Sequence, residues 1–222
     1  MKNHTESLET RQRLLEAAAE VFSESGYRNA TFREICRRAN ANIAAVNYHF
    51  RDKEQFYSAV VEHVIEQEKD HILNFRAQID SQVPARERLK TVIRSFMFSL
   101  LHPGRPNMLS KIWAWEMIEP TPGIDLLIEK VARQLQAVFR GIVAEVLGAG
   151  ADPQLVNDSA GSILSQCTSY YHCRTAISKM SPYQCYDEAT IEHLADHVSR
   201  FSLGALEAMK NAGAAGDQKE GK

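Results

Sequence analysis

Residues 10–64 read TRQRLLEAAAEVFSESGYRNATFREICRRANANIAAVNYHFRDKEQFYSAVVEHV, and the spacing of their apolar side chains predicts a run of helices. Apolar residues between Leu14 and Phe22 recur about one helical turn apart and form a one-sided stripe. Gly26 follows as a C-cap, since glycine adopts the left-handed conformation in which many helices end. Alternating Val/Ile/Thr-rich runs are missing from the sequence, so we predict an all-α fold.

Two short helices joined by a three-residue turn follow in the same stretch. Thr31 is suited to N-cap the first of them, and Glu34 stands three residues later, where a capping box needs it. Asn40 tolerates the left-handed conformation in the turn, and Asn42 is a favourable N-cap for the second helix. Two short helices buttressed by a preceding helix are typical of a helix-turn-helix unit.

Prolines divide the remainder of the chain into long segments with helical periodicity. The polar segments 1–9 and 212–222 are expected to be disordered tails, because they bury too little apolar surface to become ordered. We expect about nine helices, over residues 10–26, 31–39, 43–50, 52–79, 84–101, 107–118, 123–147, 153–179 and 187–210.

The net charge of the chain hides an uneven distribution. The 222 residues carry 26 Lys+Arg and 28 Asp+Glu, a formal charge of −2 with neutral histidines. Residues 27–53 hold six basic and two acidic residues, so this window is +4 and the rest of the chain is −6. A basic stripe on a helix-turn-helix unit is the electrostatic footprint of phosphate binding, although a solvated charged face would give the same count.

The stretch 10–64 resembles the DNA-binding domain of the tetracycline-repressor (TetR) family. The stretch departs from that family at Asn40, where glycine is common, and at Asn47, where tyrosine is common. The segment WEMIEPTP, residues 115–122, is similar to a motif of the branch with a CerR/YbiH-like C-terminal domain, with Trp115 where that branch has arginine. The residues that carry the first resemblance are Ala18, Ala19, Phe22, Gly26, Tyr27, Thr31, Ile35, Ala39, Tyr48, His49, Phe50, Asp52, Lys53 and Glu54.

The resemblance implies a helix-turn-helix DNA-binding domain over residues 10–56 that binds double-stranded DNA at a palindromic operator. In this motif the second short helix enters the major groove. Ala44 and Ala45 are small enough to approach a thymine methyl, Asn47 can pair with adenine, and Tyr48 and His49 suit phosphate oxygens. The DNA-contacting residues implied are Arg28, Thr31, Arg33, Asn42, Ile43, Ala44, Ala45, Asn47, Tyr48, His49 and Lys53.

The resemblance assigns residues 57–211 to a ligand-binding and dimerisation domain. Small-ligand sites are mostly apolar cavities with a few polar groups. The residues expected to line such a pocket are Met97, Phe98, Trp113, Glu116, Met117, Tyr170 and His172. The last two long helices have broad apolar faces, and operator half-sites one turn apart need a two-fold dimer. The interface residues expected on those helices are Leu164, Cys167, Tyr171, Leu194, Val198 and Phe201.

These observations predict a cytoplasmic, homodimeric transcriptional regulator, acting as a repressor that a small-molecule effector releases from its operator. Two other functions stay open, an all-α protein–protein adaptor and an activator without a ligand. We expect no enzyme activity, cofactor, metal or membrane association, because neither a catalytic motif nor a membrane-spanning apolar run is present. The effector, the operator and any redox or metal role of Cys167, Cys173 and Cys185 also stay open.

Overall fold

The structure of the protein, a computed structural model, describes residues 2–68, 82–104, 108–181 and 186–220. Every regular element within these ranges is a helix, which confirms the all-α prediction. None of the helices in the same ranges combines the length and the apolarity that a membrane span needs. The elements are α1 Lys2–Asn29, α2 Phe32–Ala39, α3 Ile43–His49, α4 Lys53–Gln67, α5 Ala85–Leu101, α6 Met108–Ile118, α7 Gly123–Leu127, a π-helical turn Ile128–Ala132, α8 Arg133–Leu147, α9 Pro153–His172, α10 Arg174–Met180 and α11 Glu188–Glu220.

The described residues form two compact units. The head unit contains residues from 1–70 and 107–132, and the body unit contains residues from 71–106 and 133–222. The boundary expected between residues 56 and 57 falls inside α4, which is one continuous helix. Helices α6 and α7 belong to the head unit because α6 packs against α1 and α4, and α7 packs against α4. A segment distant in sequence therefore completes the unit that begins with the helix-turn-helix.

The caps and turn of the helix-turn-helix unit follow the sequence prediction. The Thr31 hydroxyl accepts a hydrogen bond from the Glu34 backbone N–H at 3.3 Å and caps α2. Asn40 ends α2 in the left-handed region at φ 48° and ψ 51°. The Asn42 side chain accepts from the Ala44 backbone N–H at 2.9 Å and caps α3. These local contacts fix where each short helix begins and ends.

Both chain ends are more helical than the sequence predicts. Helix α1 begins at Lys2, and the Thr10 hydroxyl donates to the Glu6 carbonyl, so Thr10 lies inside the helix. Gly26, the expected C-cap, interrupts α1 with φ 75° and ψ 172°, but the helix continues beyond it to Asn29. Helix α11 reaches Glu220, ten residues beyond the expected end. No proline stops either extension, and Ala, Glu, Lys and Gln are favourable helix formers.

Two helices expected to be continuous are divided in the structure. The stretch 123–147 contains the π-helical turn, and the stretch 153–179 is broken at Cys173, which has φ −95° and ψ 6°. Neither break carries a proline or glycine signal, so periodicity alone does not separate the helices there. The expected course of the fourth helix over 69–79 lies outside the described residues, as does Cys185.

An aromatic cluster holds α3 and α4 against α1 in the core of the head unit. The Phe22 and Tyr57 rings meet edge to face at 4.8 Å, and the Phe50 and Phe56 rings stack at 4.3 Å between centroids. Aromatic pairs of this kind add to the stabilisation that burial provides. The position of α3 is therefore fixed from its buried side. The buried apolar residues of this core include Leu14, Ala18, Val21, Phe22, Ile35, Val46, Phe50, Phe56, Tyr57, Val60, Val61, Ile112 and Leu127.

The body unit is organised around α5, which packs against α8, α9 and α11. Arg88 is buried in this unit at 4% exposure. Its Nε donates to the Val83 carbonyl at 2.9 Å, and its terminal nitrogen pairs with Glu145. A buried guanidinium is tolerated because both partners satisfy it. The apolar core around it includes Leu89, Val92, Ile93, Met97, Phe139, Ile142, Val143, Ala160, Ile163, Cys167, Ile191 and Val198.

Candidate DNA-binding surface

The inner side of α3 anchors the helix in the head unit. Val46 is fully buried and Phe50 is 5% exposed, as the four-residue spacing of these apolar side chains predicts. The Phe50 backbone N–H donates to the Val46 carbonyl at 2.7 Å and ends the helix. The opposite side of α3 therefore faces solvent, and the buried Val46 and Phe50 hold the helix in place.

The outer side of α3 exposes apolar and polar side chains together. Tyr48 is 78% exposed and Ile43 is 52% exposed, although both are large side chains that gain free energy from burial. Ala44 and Asn47 are exposed on the same short helix, as is its N-cap Asn42. An exposed set of this kind matches a groove that presents thymine methyls, base edges and phosphate oxygens. The structure thus places these five predicted DNA-contacting residues on one accessible helix.

Ala45 and His49 differ from that pattern because both are half-buried. The Ala45 methyl packs against the apolar core of the head unit, so less of its surface is accessible to a DNA groove than that of Ala44. Burial and the nearby positive charge of Arg11 lower the pKa of His49. A neutral imidazole keeps one N–H donor, which is sufficient for a single phosphate oxygen.

Three of the six basic residues in the window 27–53 pair with carboxylates, and two of them, Arg37 and Arg38, share Glu34. Arg37 pairs with Glu34 at 2.7 Å, and Arg38 pairs with Glu34 at 2.8 Å and with Glu24 at 2.7 Å. The Glu34 carboxylate therefore binds these guanidiniums and does not form its half of the expected capping box. Hydrogen bonds from Arg37 and Arg38 lower the pKa of Glu34 to about 2.

The Glu34 carboxyl should contribute stability that depends on pH. Its pKa is about 2 in the folded state, against about 4.3 for an unfolded glutamate. A carboxyl with a lowered folded-state pKa stabilises the fold above the unfolded pKa, and the contribution is lost as pH falls toward 2. We expect the Glu34→Gln variant to approach wild-type stability between about pH 4.3 and 2, measured by denaturant unfolding at each pH. A gap in stability that stays constant from pH 6 to pH 2 would contradict this assignment.

Arg28 and Lys53 are linked to each other at the kink of α1. The Lys53 Nζ donates to the Arg28 carbonyl at 3.2 Å and lies 4.8 Å from the centroid of the Tyr27 ring. The Arg28 guanidinium is 72% exposed and lies 3.4 Å from a carboxylate oxygen of Glu119, just beyond α6. Burial lowers the pKa of Lys53. Both residues are thus positioned by neighbours, while each retains donors for a phosphate.

Thr31 and Arg33 lie exposed at the start of α2. The Thr31 hydroxyl oxygen accepts a hydrogen bond from the Glu34 N–H. The hydroxyl of Thr31 can therefore contact a phosphate by donating its proton. Arg33 has no carboxylate partner among the residues that the structure describes, in contrast to Arg37 and Arg38. The free cations of the predicted surface are therefore fewer than the sequence count indicates.

A buried carboxylate in the head unit joins α6 to α4. Glu116 is 1% exposed, and its Oε1 accepts from the Tyr57 hydroxyl at 2.6 Å and from the Thr121 hydroxyl at 2.6 Å. Its Oε2 accepts from the Thr121 backbone N–H at 2.8 Å. Burial is the main cause of a raised pKa of Tyr57, and the hydrogen bond to Glu116 is the second cause. Fifty-nine residues separate Tyr57 from Glu116, so no local sequence signal predicts this pair.

Trp115, the departure from the branch motif, packs on the kink of α1. Its indole Nε1 donates to the Ser23 carbonyl at 3.2 Å. A Cβ built on Gly26 would lie 2.9 Å from the Trp115 ring, and the positive φ of Gly26 is itself unfavourable for other residues. Trp115 thus serves packing inside the head unit, and only a glycine fits beneath it.

The residues expected to line a ligand pocket have different environments. Trp113 packs on the head-unit core and Glu116 is buried, but Met117 is 52% exposed, so these three residues differ in burial. The reason is that α6 packs through the stripe of Ile112 and Glu116, which leaves Met117 outside. In the body unit, Met97 is fully buried, Phe98 and Tyr170 are half-buried, and His172 is exposed.

Most of the residues expected at a dimer interface lie in the core of the body unit instead. Cys167, Tyr171, Leu194 and Val198 are each less than 9% exposed within a single chain. The broad apolar faces of α9 and α11 are explained by the packing of these helices on α5, α8 and each other. Leu164 is half-buried and Phe201 is 62% exposed, so these two remain available to a second copy.

The fold and its exposed α3 define a helix-turn-helix DNA-binding protein with a larger all-helical second part. Residues 14–60 match the model of the bacterial regulatory proteins of the tetR family. Residues 85–206 match the C-terminal domain of the HTH-type transcriptional dual regulator CecR. The chain therefore belongs to the TetR family of transcriptional regulators, in the group with a CecR-type C-terminal domain. The sequence-based assignment to the TetR family is confirmed.

Individual relatives agree with this family. The chain is 26% identical over 191 residues to CecR of Shigella flexneri, covering 83% of this chain and 85% of that protein. Its fold is similar to FadR of Bacillus subtilis, solved with stearoyl-CoA, with a TM-score of 0.61, 19% identity and coverage of 86% and 97%. AibR, solved with isovaleryl coenzyme A and operator DNA, gives a TM-score of 0.63, 18% identity and coverage of 86% and 96%.

Proposed function

We propose that this transcriptional regulator is a homodimeric repressor, that α3 reads its operator, and that a small-molecule effector releases it. The observation that carries the DNA-binding site is the exposed face of α3, where Tyr48, Ile43 and Asn47 project from a helix anchored by Val46 and Phe50. Such a helix presents side chains to the major groove without losing its register. Because operator DNA is its partner, we place the protein in the bacterial cytoplasm.

Selection of bound sequences from random DNA tests this proposal directly. We expect a palindromic motif whose half-site centres lie about 34–36 Å apart, because a two-fold dimer presents two copies of α3. Affinity for that motif should fall steeply as salt is raised, since phosphate contacts release counterions. Enrichment of no motif, or binding that is insensitive to salt, would refute the proposal and favour the adaptor.

The proposed release mechanism depends on α4. Lys53 begins α4 and touches the α1 kink, while Tyr57, one turn later, binds Glu116 of α6. Residue 116 lies within the match to the CecR C-terminal domain, and residue 53 lies within the tetR match. An effector that binds better to a state in which α4 has moved would shift the population away from the operator-binding state.

Acyl-coenzyme A thioesters are the effector class that we propose to test first. Two proteins of similar fold were solved with stearoyl-CoA and with isovaleryl coenzyme A. Addition of either thioester to the complex with the selected operator should release the DNA, whereas free coenzyme A should not. Release by other metabolites alone would reject this effector class and leave the repressor proposal standing.

Activation of transcription is a second candidate function, favoured by one observation. The CecR relative is named a dual regulator, and 83% of this chain aligns with it. Transcription in vitro from a promoter carrying the selected motif distinguishes the two. A repressor lowers the transcript level when added, and an activator raises it.

We propose that the dimer forms through α9 and α11. Phe201 lines a shallow groove together with the small α9 residues Gly161, Ser162 and Ser165. Small residues permit close approach of helices, and an exposed aromatic side chain is a typical interface anchor. The remaining residues that line the groove are Gln136, Asn157, Asp158 and Gln166.

The Phe201→Arg variant should convert the dimer to a monomer. An arginine there would place an unpaired charge in a buried interface, which typically costs several kcal/mol. Sedimentation velocity at micromolar concentration measures the change. The matched control is Met180→Arg, because Met180 is 77% exposed on α10 and lies outside the groove. A Phe201→Arg protein that sediments as a dimer would exclude this surface as the interface.

A further inference from the structure

A cation on α1, outside the helix-turn-helix motif, lies against the C-terminal end of α3. The guanidinium carbon of Arg11 is 5.4 Å from the centroid of the Phe50 ring. Phe50 is the C-cap of α3 and is 5% exposed, so the Arg11 guanidinium lies over a ring that is otherwise largely buried. The side chain is thus held by a cation–π contact beside the DNA-facing helix.

The surroundings of Arg11 contain two further groups that suit phosphate oxygens. The His49 ring lies 6.1 Å from the Phe50 ring and 5.0 Å from the Tyr48 ring. The positive charge of Arg11 also contributes to the lowered pKa of His49, which agrees with their proximity. Tyr48, His49 and Arg11 therefore offer a hydroxyl, a ring N–H and a guanidinium at one end of α3.

Arg11 is exposed and forms no ion pair or hydrogen bond among the residues that the structure describes. Its helical neighbour Glu16 accepts from Gln12 instead. Three other arginines of the head unit do pair with carboxylates, since Arg28 lies close to Glu119, Arg37 binds Glu34, and Arg38 binds Glu24 and Glu34. A guanidinium stacked on a ring by one face keeps its N–H edge free for an anion.

We propose that Arg11 contacts a DNA phosphate beside the C-terminal end of α3, as an additional backbone anchor contributed by α1. The proposal rests on the proposed binding of DNA through α3. A phosphate is favoured over a base because Arg11 extends from α1, at the end of α3 where Tyr48 and His49 offer donors suited to the backbone. One such contact per subunit would fix the register of the head unit on the duplex without adding sequence preference.

The experiment compares Arg11→Ala with Arg13→Ala, using the selected operator and fluorescence anisotropy at a series of salt concentrations. Arg13 is the matched control, because it is exposed on the same helix and donates to the Thr10 hydroxyl within α1. We expect Arg11→Ala to weaken binding several-fold and to lower the salt slope by about 1 for each phosphate that is no longer neutralised. Arg13→Ala should bind as the wild type does, and Arg11→Lys should retain the slope.

Three outcomes would overturn the proposal. An unchanged salt slope and affinity for Arg11→Ala would show that no phosphate is bound. Weaker binding with an unchanged slope and a lowered melting temperature would show that Arg11 only packs on Phe50. An equal loss for Arg13→Ala would assign the effect to general charge. A wild-type protein that binds no DNA would instead refute the proposed function, so the two failures are distinguishable.

Discussion

The Tyr48→Ala variant should lose specific operator binding while remaining a folded dimer. Tyr48 is 78% exposed on α3. Truncation of its side chain therefore removes contacts with the DNA groove and leaves the protein core intact. A good contact of a side chain with DNA is worth about 1–3 kcal/mol, and a two-fold dimer loses two of them. We therefore expect affinity for the selected palindrome to fall by about 1.5 to 4 orders of magnitude, measured by anisotropy at fixed salt.

Two controls distinguish the loss of a DNA-binding group from the loss of the fold. The melting temperature of Tyr48→Ala should equal that of the wild type, because exposed substitutions rarely change stability by more than about 0.5 kcal/mol. Tyr48→Phe keeps the ring and removes the hydroxyl, so an intermediate affinity would assign part of the effect to a phosphate hydrogen bond. Operator binding by Tyr48→Ala at wild-type affinity would show that α3 does not enter the groove as proposed.

The Glu116→Ala variant should destabilise the head unit by about 3–5 kcal/mol. The substitution leaves the Tyr57 hydroxyl and two donors of Thr121 without their acceptor, in a site where Glu116 is 1% exposed. Each buried group that loses its partner costs about 1–3 kcal/mol. Both tryptophans of the chain, Trp113 and Trp115, lie in α6, so their fluorescence during denaturant unfolding reports on this unit.

Glu119→Ala is the matched control for this measurement. Glu119 is also a glutamate and follows Glu116 by about one helical turn, but its side chain is 43% exposed and pairs with the exposed Arg28. Exposed ion pairs contribute about 0–1 kcal/mol, so the free energy of unfolding should change little. Equal losses for the two variants would mean that the buried contacts of Glu116 are not what stabilises the unit.

The helix-turn-helix unit could be predicted closely from sequence because its signals are local. Thr31, Asn40 and Asn42 act on backbone groups two to four residues away, and all three adopt the predicted cap or turn conformation. The inward side of α3 follows from the spacing of Val46 and Phe50. Such interactions depend on neighbours along the chain, so the pattern that predicts them is contained in a short window.

The number of basic residues near the helix-turn-helix could be counted from the sequence, but which of them are available to bind phosphate could not be predicted. Six basic residues stand between 27 and 53, yet Glu24 and Glu34 neutralise Arg37 and Arg38. Arg11, sixteen residues before that window, lies beside the surface through its contact with Phe50. Ala45 is half-buried because α3 packs on the head-unit core, a contact that side-chain size alone does not predict.

The dimer surface shows the same limit. Broad apolar faces on the last two long helices predict an interface, but a helix packed on several neighbours within its own unit has the same composition. Burial within the chain leaves Phe201 as the exposed aromatic residue of that prediction. An apolar helix face is expected to be buried against another surface. Only the fold shows whether that surface belongs to the same chain or to a second copy.

Local spacing and a contiguous motif were enough to predict the all-α class, the caps and turn of the helix-turn-helix, and the family. The three-dimensional packing was needed to show which basic side chains lack a carboxylate partner and which apolar side chains stay exposed. It was also needed to show that α6 binds α4 through Glu116 and Tyr57. Those features join residues that lie far apart along the chain. Their contacts arise when helices pack together, and no periodicity in the sequence encodes them.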